Sequence, residues 1–500
     1  MKNKRVLKNM LSSVMSYGAL LIFSIITSRL VLVGYGSEAN GLLSSVNQLF
    51  SYIALLEAGI GTATVRALYH PLSEENTDET VNVLVASRSY YRISAIWYFA
   101  CVVAVSFGWP LIIDTTISYW TIWGVIFFQG IAGVITYWYT STIVNYLVAS
   151  GKNYINNNVH MLATLLTYGL KLVICITGWD IIFISVSLVV VNLVKCLIYH
   201  GCMRKCCPEF FVRRKADLSL LKQRKSFLIH EISGAIFSSA DTVIISVFCG
   251  LKEASVYAVY AMVLSSLKNI IGQAFNGTKY VLGSGYADGK EGYLRTHELY
   301  NSIYICLSFI VFTVAYLLLI PFIGLYTSDV TDAYYLDPKL PLLFVMIELL
   351  SSCRIVDNEV IRIALHAKQT ISRTITESAI NLIVSFALVQ YIGIYGVLLG
   401  TILALYYRAN DVILYVNHRI LHRSAKKEYV LYLTNFCTFS FLALLDTIIV
   451  LNVRSYTHLL VLAIFVTIIV AVVYLTVNLL ISKPLRIFMR GYIKRIFNFN

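Results

Sequence analysis

Charged side chains inside long apolar runs are the groups in this sequence able to do chemistry. The cationic ones are Arg29, Lys171, Lys195, Lys268 and Arg354, and the acidic ones are Glu57, Asp241, Glu348, Asp357 and Glu359. An ionised group in hydrocarbon costs several kcal/mol unless it faces protein or water. Each therefore needs a partner, a route to the surface, or a wet cavity. A surplus of fixed cations at mid-membrane favours an anionic passenger, whereas a cation exporter would want unpaired carboxylates there.

Lys171 and Lys268 sit about 12–14 residues into their runs, roughly 20 Å from the entry side. Lys171 has no acid on its own run, while Lys268 has Asp241 one run away as a partner. Arg354 and Asp357 stand at i, i+3 and pair if that stretch is one helix. Lys195 and Arg29 lie near the ends of their runs, where long side chains snorkel to the interface. These five cations are the candidate substrate contacts, and Glu57 and Asp241 are the candidate gating or coupling acids.

Glu57 belongs to a distinctive stretch, "LLEAGIGTATVRALYHPL" at 55–72. Gly59 and Gly61 let a neighbouring helix or a bent backbone approach closely. Arg66, His70 and Pro71 are expected to end the helix at the inner surface. The stretch reads as a packing and hinge element at an inner gate, with Glu57 tied to a partner helix.

The elements that position these residues follow from composition. Of 500 residues 58% are hydrophobic and 13% charged, with mean hydropathy +0.73. Soluble domains carry about 25% charged residues, so lipid is the solvent for most of this surface. Runs of about 20 apolar residues read as membrane-spanning helices. They fall near 11–33, 41–65, 92–113, 119–147, 159–178, 181–200, 227–249, 254–281, 301–325, 341–366, 375–393, 395–417, 429–451 and 458–481. The fold class is an all-α polytopic membrane protein of about 14 spans.

The net charge of +14 sits in short connections rather than on one face. Arg204, Lys205, Arg213, Arg214 and Lys215 share one loop with Lys222, Arg224 and Lys225; Arg419, Arg423, Lys426 and Lys427 share another. The opposite loops hold only Lys252, Lys339 and Arg454. Basic connections mark the cytoplasmic side, so both termini are expected there. "MKNKRVLKNM" followed by an apolar stretch with no cleavage site reads as a retained first span. The tail "PLRIFMRGYIKRIFNFN" suits an amphipathic helix on anionic membrane lipids.

The chain is also doubled. "GSEANGLLSSVNQLFSYIALLEAGIGT" from Gly36 aligns with "LKEASVYAVYAMVLSSLKNIIGQAFNG" from Leu251. "GKNYINNNVHMLATLLTYGLKLVICITG" aligns with "AKQTISRTITESAINLIVSFALVQYIG", placing Lys152 on Lys368. Both alignments use nearly the same offset, on the order of 215 residues. An even number of spans per copy gives two parallel six-helix bundles, 1–215 and 216–425. Residues 426–500 add two helices and the basic tail.

Such a plan fits a transporter and argues against other classes. Dispersed basic loops do not make a nucleic-acid surface. No nucleophile elbow, phosphate-cradling loop or metal pattern appears, so neither an enzyme nor a cofactor is expected. His200, Cys202, Cys206 and Cys207 match no common zinc spacing and read as free thiols in a cytoplasmic loop.

"LLEAGIGTATVRALYHPL", "FSSADTVIIS" at 237–246 and "INLIVSFALVQYIGIYGVLLGT" at 380–401 resemble the polysaccharide flippases of the multidrug/oligosaccharidyl-lipid/polysaccharide (MOP) exporter superfamily. The likeness covers essentially the whole chain and its repeat order. It implies translocation of an undecaprenyl-pyrophosphate-linked oligosaccharide repeat unit across the bacterial cytoplasmic membrane by alternating access. The unit would feed O-antigen, capsule or lipopolysaccharide assembly, with a polysaccharide polymerase as a partner. The resemblance further implies coupling to an ion gradient, H+ or Na+. Two other readings compete: an antiporter of the multidrug and toxin extrusion (MATE) type, and a membrane glycosyltransferase or ligase. The second would want a large polar loop, and "TSDVTDAYYLDPKLP" is short.

Overall fold

A computed structural model describes residues 2–57, 59–212, 216–221, 240–276, 282, 290–364, 366–446 and 453–497. For 2–21, 56, 274, 276, 290, 291, 367, 446 and 492–497 only the backbone path is described. Among the described residues every regular element is helical. Ten helices among the described residues are long and apolar enough to cross a membrane. Because hydrocarbon offers no hydrogen bonds, closing them inside each helix is what such a sequence must do.

The remaining expected spans depart from single helices. The first is part of α1, Lys2–Ile53, which runs on past the expected boundary and kinks at Gly36 (φ 84°). The second breaks at a 3₁₀ turn, Ala54–Glu57, after which left-handed Gly59 (φ 79°) starts α2, Ile60–Ser73. Pro71 does not end that helix as expected: it lies inside the last turn, and the chain leaves at Glu74. Most of 227–249 lies outside the described residues. The expected span 341–366 is two short helices broken around Arg354.

The remaining helices follow local signals. Asn76 caps α3 (Thr77–Ile112) by accepting from Glu79 N at 3.1 Å, and Asp78 and Glu79 occupy the first turn. Ser118 caps α4 (Tyr119–Ile135) in the same way. A π turn at Thr136–Thr140 leads into α5 (Ser141–Ala149). Gly178, left-handed, closes α6 (Asn153–Thr177), and α7 covers Ile182–Cys206. The second half contains α8 (Leu251–Asn276), α9 (Lys290–Tyr326), α10 (Leu340–Ser352) and α11 (Ile355–Ile363). Then follow α12 (Ile371–Ile392), α13 (Ile394–Tyr415), α14 (Lys426–Asp446), α15 (Tyr456–Ile481) and α16 (Lys483–Phe497).

The chain forms two compact units, Ile22–Ser255 and Met1–Leu21 with Val256–Asn500. In the first, Leu42, Val46, Val102, Val125 and Ile184 make one core, and Leu68, Leu84, Ile143, Tyr146 and Tyr199 another. Gly41 is required where α1 meets the start of α8: a Cβ there would lie 1.9 Å from the Leu251 carbonyl oxygen. In the second unit Tyr260, Phe309, Val345, Val397, Leu405 and Tyr474 are buried.

Candidate functional site

Within the unit Ile22–Ser255 the helix breaks gather polar side chains around a cavity of about 410 Å³. The 3₁₀ turn brings Glu57 to its wall, and Gly61 lets α2 approach Tyr91 and Asn145, whose atoms would lie 3.3–3.4 Å from a Cβ. The π turn contributes Thr136 and Thr140. Such turns insert one residue into a helix and are frequent at functional sites. From α6 and α7 come Asn156, His160, Lys195 and Tyr199.

The lining is held by internal hydrogen bonds. Asn145 donates to Tyr91 Oη at 2.9 Å, and Tyr199 donates to Asn156 Oδ1 at 2.8 Å. Thr136 and Lys195 both donate to Asn192 Oδ1, at 3.1 and 3.4 Å. Lys195 therefore faces this cavity with Glu57, rather than only snorkelling to the interface. Amide, hydroxyl, ammonium and carboxylate groups here can hold a polar, hydrogen-bonding ligand of either charge.

A second polar arrangement lies within the unit that includes Val256–Asn500. α12 and α13 pack closely, since a Cβ on Gly396 would meet Leu388 carbonyl carbon at 2.5 Å and one on Gly400 the Ser385 hydroxyl at 2.3 Å. That packing aligns Glu377 with Arg408 and Asp411. Arg354 pairs with Glu377, whose other oxygen is 3.5 Å from Arg408 Nε. Arg408 also pairs with Asp411 at 2.7 Å, and Asp411 with Arg373. The Arg373 guanidinium lies over the Tyr415 ring, 4.7 Å from its centroid. Three guanidinium groups thus face two carboxylates.

This corrects the expected Arg354–Asp357 pair. Arg354 caps the start of α11 and keeps its one-turn spacing to Asp357, but its guanidinium is taken by Glu377 on α12. Asp357 instead takes His297 at 2.9 Å. Lys268 is likewise paired with Glu348 at 2.9 Å, not with Asp241. Asp241 is buried near Tyr52. Lys171 is partly exposed on α6, beside Cys175, on a helix whose exposed residues include Leu166, Val173 and Ile176. It has no hydrogen bond or ion pair among the described residues. Arg29 is partly exposed on α1.

Sequence reasoning missed Glu377, Arg408, Asp411 and His297. The signal was present: Arg373 and Glu377 at i, i+4, and Arg408 and Asp411 at i, i+3, on two otherwise apolar runs.

No family model and no curated protein matches this chain. Solved structures do. The lipid II flippase MurJ, inward closed, aligns with TM-score 0.65 and 12% identity over 93% of this chain and 98% of that one. An inward-facing multidrug resistance MATE family transporter of the MOP superfamily aligns with TM-score 0.63 and 14% identity, over 86% and 98%. A MOP superfamily transporter from Pyrococcus furiosus, described by the reverse polarity of its binding pocket, gives TM-score 0.55 and 14% identity over 83% and 96%. In fold, this multi-pass helical chain is similar to MATE transporters of the MOP superfamily and to the lipid II flippase.

Proposed function

We propose that the chain is a flippase for an undecaprenyl-pyrophosphate-linked oligosaccharide, working by alternating access between two six-helix halves in the bacterial cytoplasmic membrane. The observation that carries this reading is the Arg354–Glu377–Arg408–Asp411–Arg373 chain, which gathers three guanidinium groups in one place. Guanidinium groups bind phosphate oxygens in a fork geometry. A pyrophosphate is such a ligand, its polyprenyl tail can stay in lipid, and the Asn- and Tyr-lined cavity suits sugar hydroxyls. An ion gradient, H+ or Na+, drives the cycle, both termini lie in the cytoplasm, and a polysaccharide polymerase takes the product.

The test is a deletion strain complemented with wild type or Arg373→Gln. Deletion should abolish surface polymer and accumulate lipid-linked oligosaccharide on the cytoplasmic leaflet. Arg373→Gln, at an unchanged protein level, should restore only part of the display. Intact polymer in the deletion strain sinks the reading.

Glu57 in the polar cavity favours a second reading, a MATE-type cation antiporter. It predicts that deletion raises drug sensitivity with polymer display intact, and that Glu57→Gln fails to restore resistance.

A further inference from the structure

Where α9, α11 and α14 meet, His297, Asp357 and Glu428 are buried with ligand-type atoms all within 4.8 Å of one another. The proton positions follow from their partners. Arg423 Nη2 stands 3.0 Å from His297 Nδ1. A guanidinium only donates, so Nδ1 is the acceptor and carries no hydrogen. Nε2–H then donates to Asp357 Oδ1 at 2.9 Å, and the imidazole is neutral.

Among the described residues, Asp357 Oδ2 is buried without a hydrogen-bond donor. The Asp357 carboxyl is within hydrogen-bonding reach of the Glu428 carboxyl. Glu428 itself accepts from Asn417 Nδ2 at 2.9 Å and from Arg423. Two carboxylates this close, away from water, cannot both stay ionised without a cation between them.

The charged and titratable groups facing the pair come from each packed element. α9 presents His297 and Glu298, the break before α11 presents Cys353, α11 presents Asp357, the connection before α14 presents Arg423, and α14 presents Lys427, Glu428, Tyr429 and Tyr432. Glu298 takes Arg423 at 3.1 Å and Lys427 at 3.0 Å, and the Tyr432 hydroxyl accepts from Asn301 at 2.8 Å. Three carboxylates meet two cations and a neutral imidazole, which leaves the cluster one positive charge short.

We propose that Asp357 and Glu428 share one proton, making them a buried proton-binding site that fastens α14 to α9 and α11. The proton supplies the donor that Asp357 Oδ2 lacks and balances the charge. A metal ion fits less well, because Arg423 already occupies the space between His297 Nδ1 and Glu428. A cavity of about 630 Å³, lined by Glu298, Arg423, Lys427 and Glu428, opens beside the pair and gives the proton a path to water. Loss of the proton sets two like charges face to face, so the attachment of α14 depends on its occupancy. This site goes beyond the transport reading and does not rest on it.

The experiment is infrared spectroscopy of the full chain in lipid bilayers, following the neutral carboxylic acid C=O stretch and its shift in heavy water. Wild type should show a deuterium-sensitive band component that disappears in both Asp357→Asn and Glu428→Gln and persists in the exposed-site variant Glu75→Gln. A band unchanged in both pair variants overturns the proposal. So does stoichiometric zinc or sodium, retained by wild type and lost in both. If either variant fails to assemble, amide exchange of wild type decides. Corrected for intrinsic rates, exchange across α14 should accelerate severalfold as pH rises; no acceleration overturns the proposal.

Discussion

Asn40 donates its side-chain amide to Ser255 Oγ at 2.7 Å, across a sequence separation of 215 residues. That separation is the offset of the sequence alignment between the stretches from Gly36 and Leu251, so two residues that it makes equivalent touch each other. One residue on, Gly41 presses against the Leu251 backbone. Asn40→Ala should lower stability by about 1 kcal/mol, the net value of one hydrogen bond. Gly41→Ala should cost more, about 1–3 kcal/mol, because a carbonyl oxygen cannot rotate away as a side chain can. Thermal unfolding in detergent ranks the two; equal midpoints would show that the backbone approach does not constrain the fold.

Glu38, at the kink between the first two spans, predicts a pH effect. Its Oε2 accepts from Thr115 Oγ1 at 2.6 Å and from Thr116 N and Oγ1 at 2.8 and 2.9 Å, with Lys252 at 3.9 Å from Oε1. Burial alone would raise its pKa, but these hydrogen bonds and the lysine outweigh it and hold the carboxyl below its ordinary value. A lowered folded-state pKa means that the stabilisation is present at neutral pH and is lost as pH falls through that value. Wild type should therefore lose its thermal advantage over Glu38→Gln on acidification below the ordinary carboxylate range. A constant gap at all pH values would count against the assignment.

The Glu377–Arg408 contact predicts a large penalty. Both side chains are almost fully buried. Glu377→Gln leaves Arg354 and Arg408 short of an acid, and removing one partner of a buried pair costs about 3–5 kcal/mol. Yield of monodisperse protein should fall sharply. Replacing Glu377 and Arg408 together by Gln and Met should recover part of it, because the uncompensated charge is then smaller.

Lys171 supplies a narrower test of the flippase reading. Lys171→Ala should reduce polymer display at unchanged protein level, and Lys171→Arg should retain part of it. Full display by the alanine variant removes Lys171 from the substrate path.

Hydropathy alone carried the helical class, since twenty apolar residues have few alternatives in lipid. Capping residues such as Asn76 and Ser118 marked helix starts. Ion-pair partners were not legible, because they depend on which helix faces touch. Lys268 had Asp241 nearby in sequence and took Glu348 instead. The break at Arg354 carries no Gly or Pro, so nothing local announced that 341–366 would be two helices. The cavity beside Glu57 rests on a 3₁₀ and a π turn, and both are products of packing rather than of residue periodicity.

α3 has 36 residues and α9 has 37, and their starts lie about one repeat offset apart in the sequence. At ~1.5 Å per residue each is roughly 54–56 Å long, against about 40–45 Å for a bilayer with its headgroups. Each rod must lean or protrude. A change in lean of ~15° would sweep its far tip sideways by about 14 Å, so a slight rocking inside the lipid becomes a wide stroke in the water beyond.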